Sequence, residues 1–258
     1  MLNTSFAGKR VFVTGATGLL GMEISQAFAH AGATLMLTDC VAMTDRLKAL
    51  LPESAAVSFH VMDLSDSAAI HRWVESLSDA ALPDVVVNNA GIYPFHDLLT
   101  SEPGQCARIF DINTMAPLSF MQAFGKRWID AGKQGSIVNV SSASSEVART
   151  NGSVYGASKA ALEQLTRMFA IRLGRHGIRV NAVRPGIAQD ADKGQLPADH
   201  LQTISQRIPL GRTLAPGELS DSILFLASQH ASFVTGQVIS VDGGGSINRR
   251  LELIANQG

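Results

Sequence analysis

The sequence predicts an α/β fold: a doubly wound parallel sheet with helices on both faces. Three observations carry this expectation. Apolar, β-rich runs recur near Val11, Leu35, Phe59, Val85, Ile137, Val180 and Val238, with helical patterns between them. Such alternation implies crossover connections and about seven parallel strands. The 258 residues are 46% apolar with mean hydropathy +0.14, and no Pro/Ser-rich linker or charge block divides them, so a single domain over residues 1–258 is expected. A glycine-rich turn also sits between the first strand-like run and the first amphipathic stretch.

The first run, Val11-Phe12-Val13, leads into Thr14-Gly15-Ala16-Thr17-Gly18-Leu19-Leu20-Gly21, which opens the amphipathic stretch Leu19 to Ala31. Glycines let backbone approach a pyrophosphate closely, and a helix N-terminus offers free N–H groups and partial positive charge. Gly15, Thr17, Gly18, Leu19 and Leu20 are therefore expected to hold a dinucleotide. The second run ends in Asp39, 18 residues after Gly21. A carboxylate there accepts both hydroxyls of an adenosine ribose and repels a 2′-phosphate, which favours NAD over NADP. Val85-Val86-Val87 continues into Asn88-Asn89-Ala90-Gly91. Small residues let a ligand lie against that strand end, while the asparagines can tie neighbouring strands together or touch the cofactor.

Ile137-Val138-Asn139-Val140 runs toward Ser142, thirteen residues before Tyr155, and Lys159 follows four residues later. Positions i and i+4 share a helix face, so the Lys159 ammonium is expected close enough to the Tyr155 phenol to favour its ionised form. A free phenol titrates at about 10 and is a sluggish acid-base catalyst at neutral pH. Val180-Asn181-Ala182-Val183 then leads to Arg184-Pro185-Gly186-Ile187. Ligands of such sheets lie beyond the strands' carboxyl ends at the switch point, which gathers the glycine turn, Asp39, Asn89, Ser142 and Pro185-Gly186 in one crevice. The irregular segment 187–201 is expected to close over substrate. Tyr93 to Asp97 and Ser144 to Asn151 complete the expected pocket, with His96, Glu146 and Arg149 available to a polar substrate.

Tyr155-x-x-x-Lys159 with Ser142, Asn113 in Asp111-Ile112-Asn113, Asn89-Ala90-Gly91 and Arg184-Pro185-Gly186 together resemble the short-chain dehydrogenase/reductase family. The likeness runs from the turn near residue 14 to Val241-Asp242-Gly243-Gly244, nearly the whole chain. It implies a Rossmann-like fold, an NAD cofactor, and reversible hydride transfer to or from a secondary alcohol or ketone. In this resemblance Tyr155 gives or takes the hydroxyl proton, Lys159 lowers the phenol pKa and holds the nicotinamide ribose, and Ser142 hydrogen-bonds the carbonyl oxygen. Asn113 holds a water linking Lys159 to solvent, and Asp63 with Leu64 resembles the adenine contact. Ala90, Gly91, Pro185, Gly186 and Ile187 line the cofactor.

Two features depart from the family pattern. Leu19 replaces the middle glycine of TGxxxGxG, and the resulting TGxxGxxG resembles the sugar-nucleotide-modifying branch. A threonine that commonly follows the Pro-Gly pair is missing from Ile187-Ala188-Gln189-Asp190. A sugar-nucleotide epimerase or dehydratase and a non-catalytic dinucleotide sensor are therefore the alternative readings. Only about 70 residues follow Gly186, which leaves little room for the first reading's substrate domain. An intact Ser142, Tyr155 and Lys159 argues against the second.

A net charge of −1 and a pI near 6.6 leave no basic footprint for nucleic acid. No apolar run reaches the roughly 18 residues needed to span a membrane, and the N-terminus lacks a signal peptide's continuous apolar region. Cys40 and Cys106 are too few for a disulfide framework, and no Cys-x-x-Cys or His-Glu-x-x-His pattern points to a metal. Cytoplasmic small-molecule chemistry is expected. Ala157, Ala160, Ala161, Leu162, Leu165, Met168, Phe169, Ala170, Ile171 and Leu173 spread round more than one helix face, as do Met115, Leu118, Phe120, Met121, Phe124 and Trp128. A second buried face on each helix implies a homo-oligomer, a dimer or tetramer by family likeness.

Overall fold

Val11, Phe12 and Val13 are all fully buried, as a central parallel strand covered on both faces requires. They belong to β1 (Arg10–Thr14) in a computed structural model that describes residues 4–94, 97–148, 154–188 and 203–248. The other strands are β2 (Thr34–Asp39), β3 (Val57–Val61), β4 (Val85–Asn88), β5 (Gly135–Val140), β6 (Ile178–Pro185) and β7 (Val238–Val241). All seven pair in parallel, in the order β3-β2-β1-β4-β5-β6-β7, so every expected strand run is found in the sheet. After β1 the chain builds outward through β2 and β3, then returns to place β4 on β1's other side. This reversal opens a crevice at the carboxyl ends of β1 and β4.

Helices among the described residues include α1 (Leu19–His30), α2 (Asp45–Leu50), α3 (Ser67–Ser76), α4 (Pro103–Phe110), α5 (Ala116–Asp130), α6 (Tyr155–Leu173) and α7 (Glu218–Ala227). Strand pleating sends Val11 and Val13 to one apolar layer, with Ile24 and Phe28 of α1 and Leu219 and Ile223 of α7. Phe12 faces the other layer, among Phe120, Phe124 and Trp128 of α5 and Leu162 of α6.

The breadth of α5's apolar surface has an internal cause. It lies between α3 and α6 as well as on the sheet, and Phe120 and Phe124 pack 5.0 and 5.6 Å from Phe12. Trp128 is fully buried and donates from Nε1 to the Pro83 carbonyl at 2.9 Å. Of the apolar residues that suggested a second face, Phe120, Met121, Phe124 and Trp128 are thus covered by the chain itself, while Met115 stays 41% exposed. On α6 the outer residues Met168 and Ile171 stay 54% and 85% exposed. No helix among the described residues is long and apolar enough to cross a membrane.

Candidate active site

The glycine turn owes its shape to close backbone approach. Gly15 takes a φ of 65°, and a Cβ there would lie 2.8 Å from the Cα of Ala90. A Cβ on Gly21 would lie 2.0 Å from the Gly15 carbonyl oxygen. Gly18 has a different role: nothing comes nearer than 3.4 Å to its missing Cβ, and it begins α1 without a side-chain cap. The helix start is thereby open to an anion. Leu19, in place of the family's middle glycine, is the first residue of α1 and half-buried.

Thr14 Oγ1 accepts from the backbone N–H groups of Asn89 and Ala90, each at 3.0 Å. Asn89 Nδ2 donates to the carbonyls of Thr14 and Gly15 at 2.9 and 3.1 Å, so this asparagine ties β4 to the turn. Asn88 Nδ2 likewise donates to Asn139 Oδ1 at 2.8 Å, joining β4 to β5.

Asp39 ends β2 beside the turn. Its Oδ2 accepts from the backbone N–H and hydroxyl of Thr17 at 2.9 and 2.7 Å, and its Oδ1 from Cys40 N–H at 2.7 Å. The carboxylate is held in place by the residues it was expected to work with. The end of β3 lies alongside, since Met62 N–H donates to the Asp39 carbonyl. There Asp63 accepts from the N–H and hydroxyl of Ser65, a local turn that holds its carboxyl below the usual value. Leu64 buries its side chain in the core.

Across the crevice, Tyr155 opens α6 and Lys159 follows one turn later. Lys159 is buried, its Nζ donates to the Val140 carbonyl at 2.8 Å and lies 6.0 Å from the Tyr155 ring centroid. Burial pulls its pKa down to about 8. Burial pushes the Tyr155 phenol above its ordinary value; a hydrogen bond with Ser142 opposes that rise, and neighbouring Tyr93 adds to it. The expected lowering of the phenol pKa by Lys159 is not what sets its direction: the phenol shifts upward through burial, and the ammonium is aimed at the Val140 carbonyl. Ser142 Oγ also accepts from Ser144 N–H at 3.2 Å. A Cβ on Gly156 would lie 2.5 Å from the Ser144 carbonyl oxygen, so the Ser142 loop meets α6 only because residue 156 is glycine. That role had a signal in the sequence, a glycine in a helix's first turn.

Asn113 occupies a π-helical turn, Asp111–Met115, between α4 and α5. Its side chain accepts from Ile92 N–H at 2.8 Å and donates to the Ile92 carbonyl at 2.8 Å and Ser158 Oγ at 3.1 Å. Pro117, four residues on, has no N–H to give the Asn113 carbonyl, which was a readable cause of the irregular turn. A Cβ on Gly91 would lie 3.3 Å from both Asn113 Oδ1 and Lys159 Nζ. Tyr93 packs against Tyr155 with ring centroids 6.2 Å apart. Gly186 donates to the Val241 carbonyl, and the Ile187 carbonyl accepts from Leu214, each at 2.9 Å. Of the other expected pocket residues, Glu146 is paired with Arg184 at 2.9 Å. His96, Arg149, Asn151 and residues 189–201 lie outside the described residues.

The open helix start, the acid at the next strand's end, the small residues after β4 and the Tyr155-Lys159 pair fit a nicotinamide dinucleotide. Residues 15–246 match the family model described as Enoyl-(Acyl carrier protein) reductase. The chain belongs to the short-chain dehydrogenase/reductase family. It is 33% identical over 249 residues to cis-4-hydroxycyclohexanecarboxylate dehydrogenase of Sinomonas cyclohexanicum, covering 94% of this chain and 98% of the relative. It is 35% identical over 246 residues to L-xylulose reductase of Mus musculus, with the same coverage. Among solved structures, gluconate 5-dehydrogenase of Burkholderia cenocepacia in complex with NADP and tartrate superposes with a TM-score of 0.87 at 28% identity, covering 95% of this chain and 98% of that one. This short-chain dehydrogenase/reductase is accordingly an oxidoreductase of CH–OH groups dependent on a nicotinamide dinucleotide.

The buried Lys159 makes stability depend on pH. Unfolded lysine holds its proton up to about 10.4, whereas folded Lys159 releases it near about 8, so between these values the unfolded chain binds more protons and stability rises with pH. Below pH 8 the full cost of the buried ammonium applies. Lys159→Met should therefore gain stability over the parent at pH 7 by at most about 3 kcal/mol, and the gap should shrink as pH approaches 10.4. Urea unfolding without nucleotide checks this; a pH-independent gap would mean that Lys159 is not the titrating charge.

Proposed function

We propose that the enzyme transfers a hydride reversibly between NAD and a secondary alcohol or ketone, using Ser142, Tyr155 and Lys159. The observation that carries this reading is the convergence of Ser142 and Lys159 on Tyr155, across the crevice from the glycine turn and Asp39. Gly15, Thr17, Gly18, Leu19 and Leu20 would hold the pyrophosphate, Asp39 the adenosine ribose, and Asp63 with the Leu64 backbone the adenine. Asn89, Ala90, Gly91, Pro185, Gly186 and Ile187 would line the remaining path, with Lys159 and Tyr155 at the nicotinamide ribose. When bound, the nicotinamide supplies the hydride acceptor or donor.

Tyr155 keeps its proton at neutral pH because burial favours the neutral phenol, so it is set to protonate a carbonyl oxygen and, in reverse, to take a proton from a hydroxyl. Ser142 donates a hydrogen bond to the same oxygen and stabilises charge developing there. The Asn113 carbonyl, whose i+4 partner Pro117 has no N–H to give it, would hold a water that connects Lys159 to solvent.

Tyr155→Phe should retain dinucleotide binding and lose at least about a hundredfold in turnover, the scale of a positioned acid-base group. Nicotinamide absorbance over a panel of alcohols and ketones measures it; turnover within about threefold of the parent would remove Tyr155 from the chemistry.

The preference for NAD rests on Asp39 and on the absence of Lys or Arg from residues 14–21. Catalytic efficiency should be at least tenfold higher with NAD than NADP, about 1.4 kcal/mol. Asp39→Asn, which keeps an acceptor for Thr17 while removing the charge, should narrow the ratio. Equal efficiency of the parent with both would mean that the carboxylate does not face the ribose.

Met168 and Ile171 on α6 also support a homo-oligomer. Light scattering at micromolar concentration should give the mass of two or four chains, and a 27.3 kDa monomer would refute the assembly.

A further inference from the structure

Two turns along α6 from Tyr155 lies a carboxylate that proton transfer does not use. Glu163 is only 5% exposed. Its Oε1 accepts from Ser141 Oγ at 2.6 Å, Ser145 Oγ at 2.5 Å and Arg184 Nε at 2.8 Å, and its Oε2 from Arg184 Nη2 at 2.8 Å. Arg184, 8% exposed at the end of β6, reaches on through Nη1 to Ser240 Oγ of β7 at 3.3 Å and to Glu146 at 2.9 Å. The two serines bracket Ser142. One side chain of α6 therefore holds both flanks of the loop that presents Ser142 to Tyr155. Burial alone would push the Glu163 carboxyl up, but the hydrogen bonds from Arg184, Ser141 and Ser145 together keep it below its ordinary value.

Cohesion does not explain this arrangement. Well-packed apolar residues often replace a buried ion pair without loss of stability. What they lack is an acceptor that fixes two hydroxyls on either side of a third. A reacting group displaced by about 1 Å can cost about a hundredfold in rate, so the placement of Ser142 matters more than the stability of its loop.

We infer that Glu163, clamped by Arg184, is a positioning residue that aims the Ser142 hydroxyl at the reacting oxygen. The inference rests on the role proposed above for Ser142. The test is a double-mutant cycle of Glu163→Gln and Ser142→Ala, read as kcat and as KM for the dinucleotide. Glu163→Gln should lower kcat about tenfold with KM for the dinucleotide within about twofold, and in the Ser142→Ala background it should change kcat less than about twofold. A structural brace would reduce both backgrounds equally, and that result would overturn the inference while leaving the role of Ser142 intact. If Ser142→Ala alone keeps parental kcat, the role of Ser142 falls and the inference with it. Should Glu163→Gln, which unpairs Arg184, fail to fold, Ser141→Ala/Ser145→Ala keeps the ion pair and replaces it in the cycle, with the same coupling expected and additivity again overturning the inference.

Discussion

Four hydrogen bonds join Thr14 and Gly15 to Asn89 and Ala90 where the strand order reverses, and the crevice takes its shape from them. A parallel sheet opens a crevice at such a switch point, because the crossover helices leave on opposite sides and no connection covers the gap. Here the Thr14 hydroxyl and the Asn89 amide satisfy backbone groups that the ladder leaves unpaired. The approach is so close that Gly15 tolerates no side chain against Ala90. Asp39 then grips Thr17 from the neighbouring strand, so the turn is held from both sides before any ligand arrives.

Helix α6 shows what a helix that buries polar groups gives up in apolar packing. Its buried residues include Ser158, Lys159, Glu163 and Thr166 beside Leu162, Ala170 and Leu173. Burying polar groups is tolerable only when each is hydrogen-bonded, and these are. Ser158 donates to the Tyr155 carbonyl, Lys159 to the Val140 carbonyl and Thr166 to the Leu162 carbonyl, while Glu163 takes its four donors.

The two buried charges on α6 answer to different forces. Lys159 has a single carbonyl acceptor, so desolvation dominates and its pKa falls. Glu163 meets a guanidinium in bidentate fashion, and hydrogen bonding overcomes the same desolvation. One helix thus carries a cation whose pKa is pulled down to about 8 and an anion held below its ordinary value.

Much of this was determined by the sequence alone. The seven strand runs, the glycine turn, Asp39 and the spacing of Ser142, Tyr155 and Lys159 were all legible, because strand propensity, turn chemistry and helix periodicity act over a few residues. Tertiary structure decided the rest. The pairing of Glu163 with Arg184, the grip of Asp39 on Thr17 and the internal cover over α5 join residues that are distant in sequence, and their meeting depends on strand order and helix placement. The same reason explains the phenol of Tyr155: spacing put Lys159 on its face of the helix, but burial, which spacing does not encode, set the direction of its pKa.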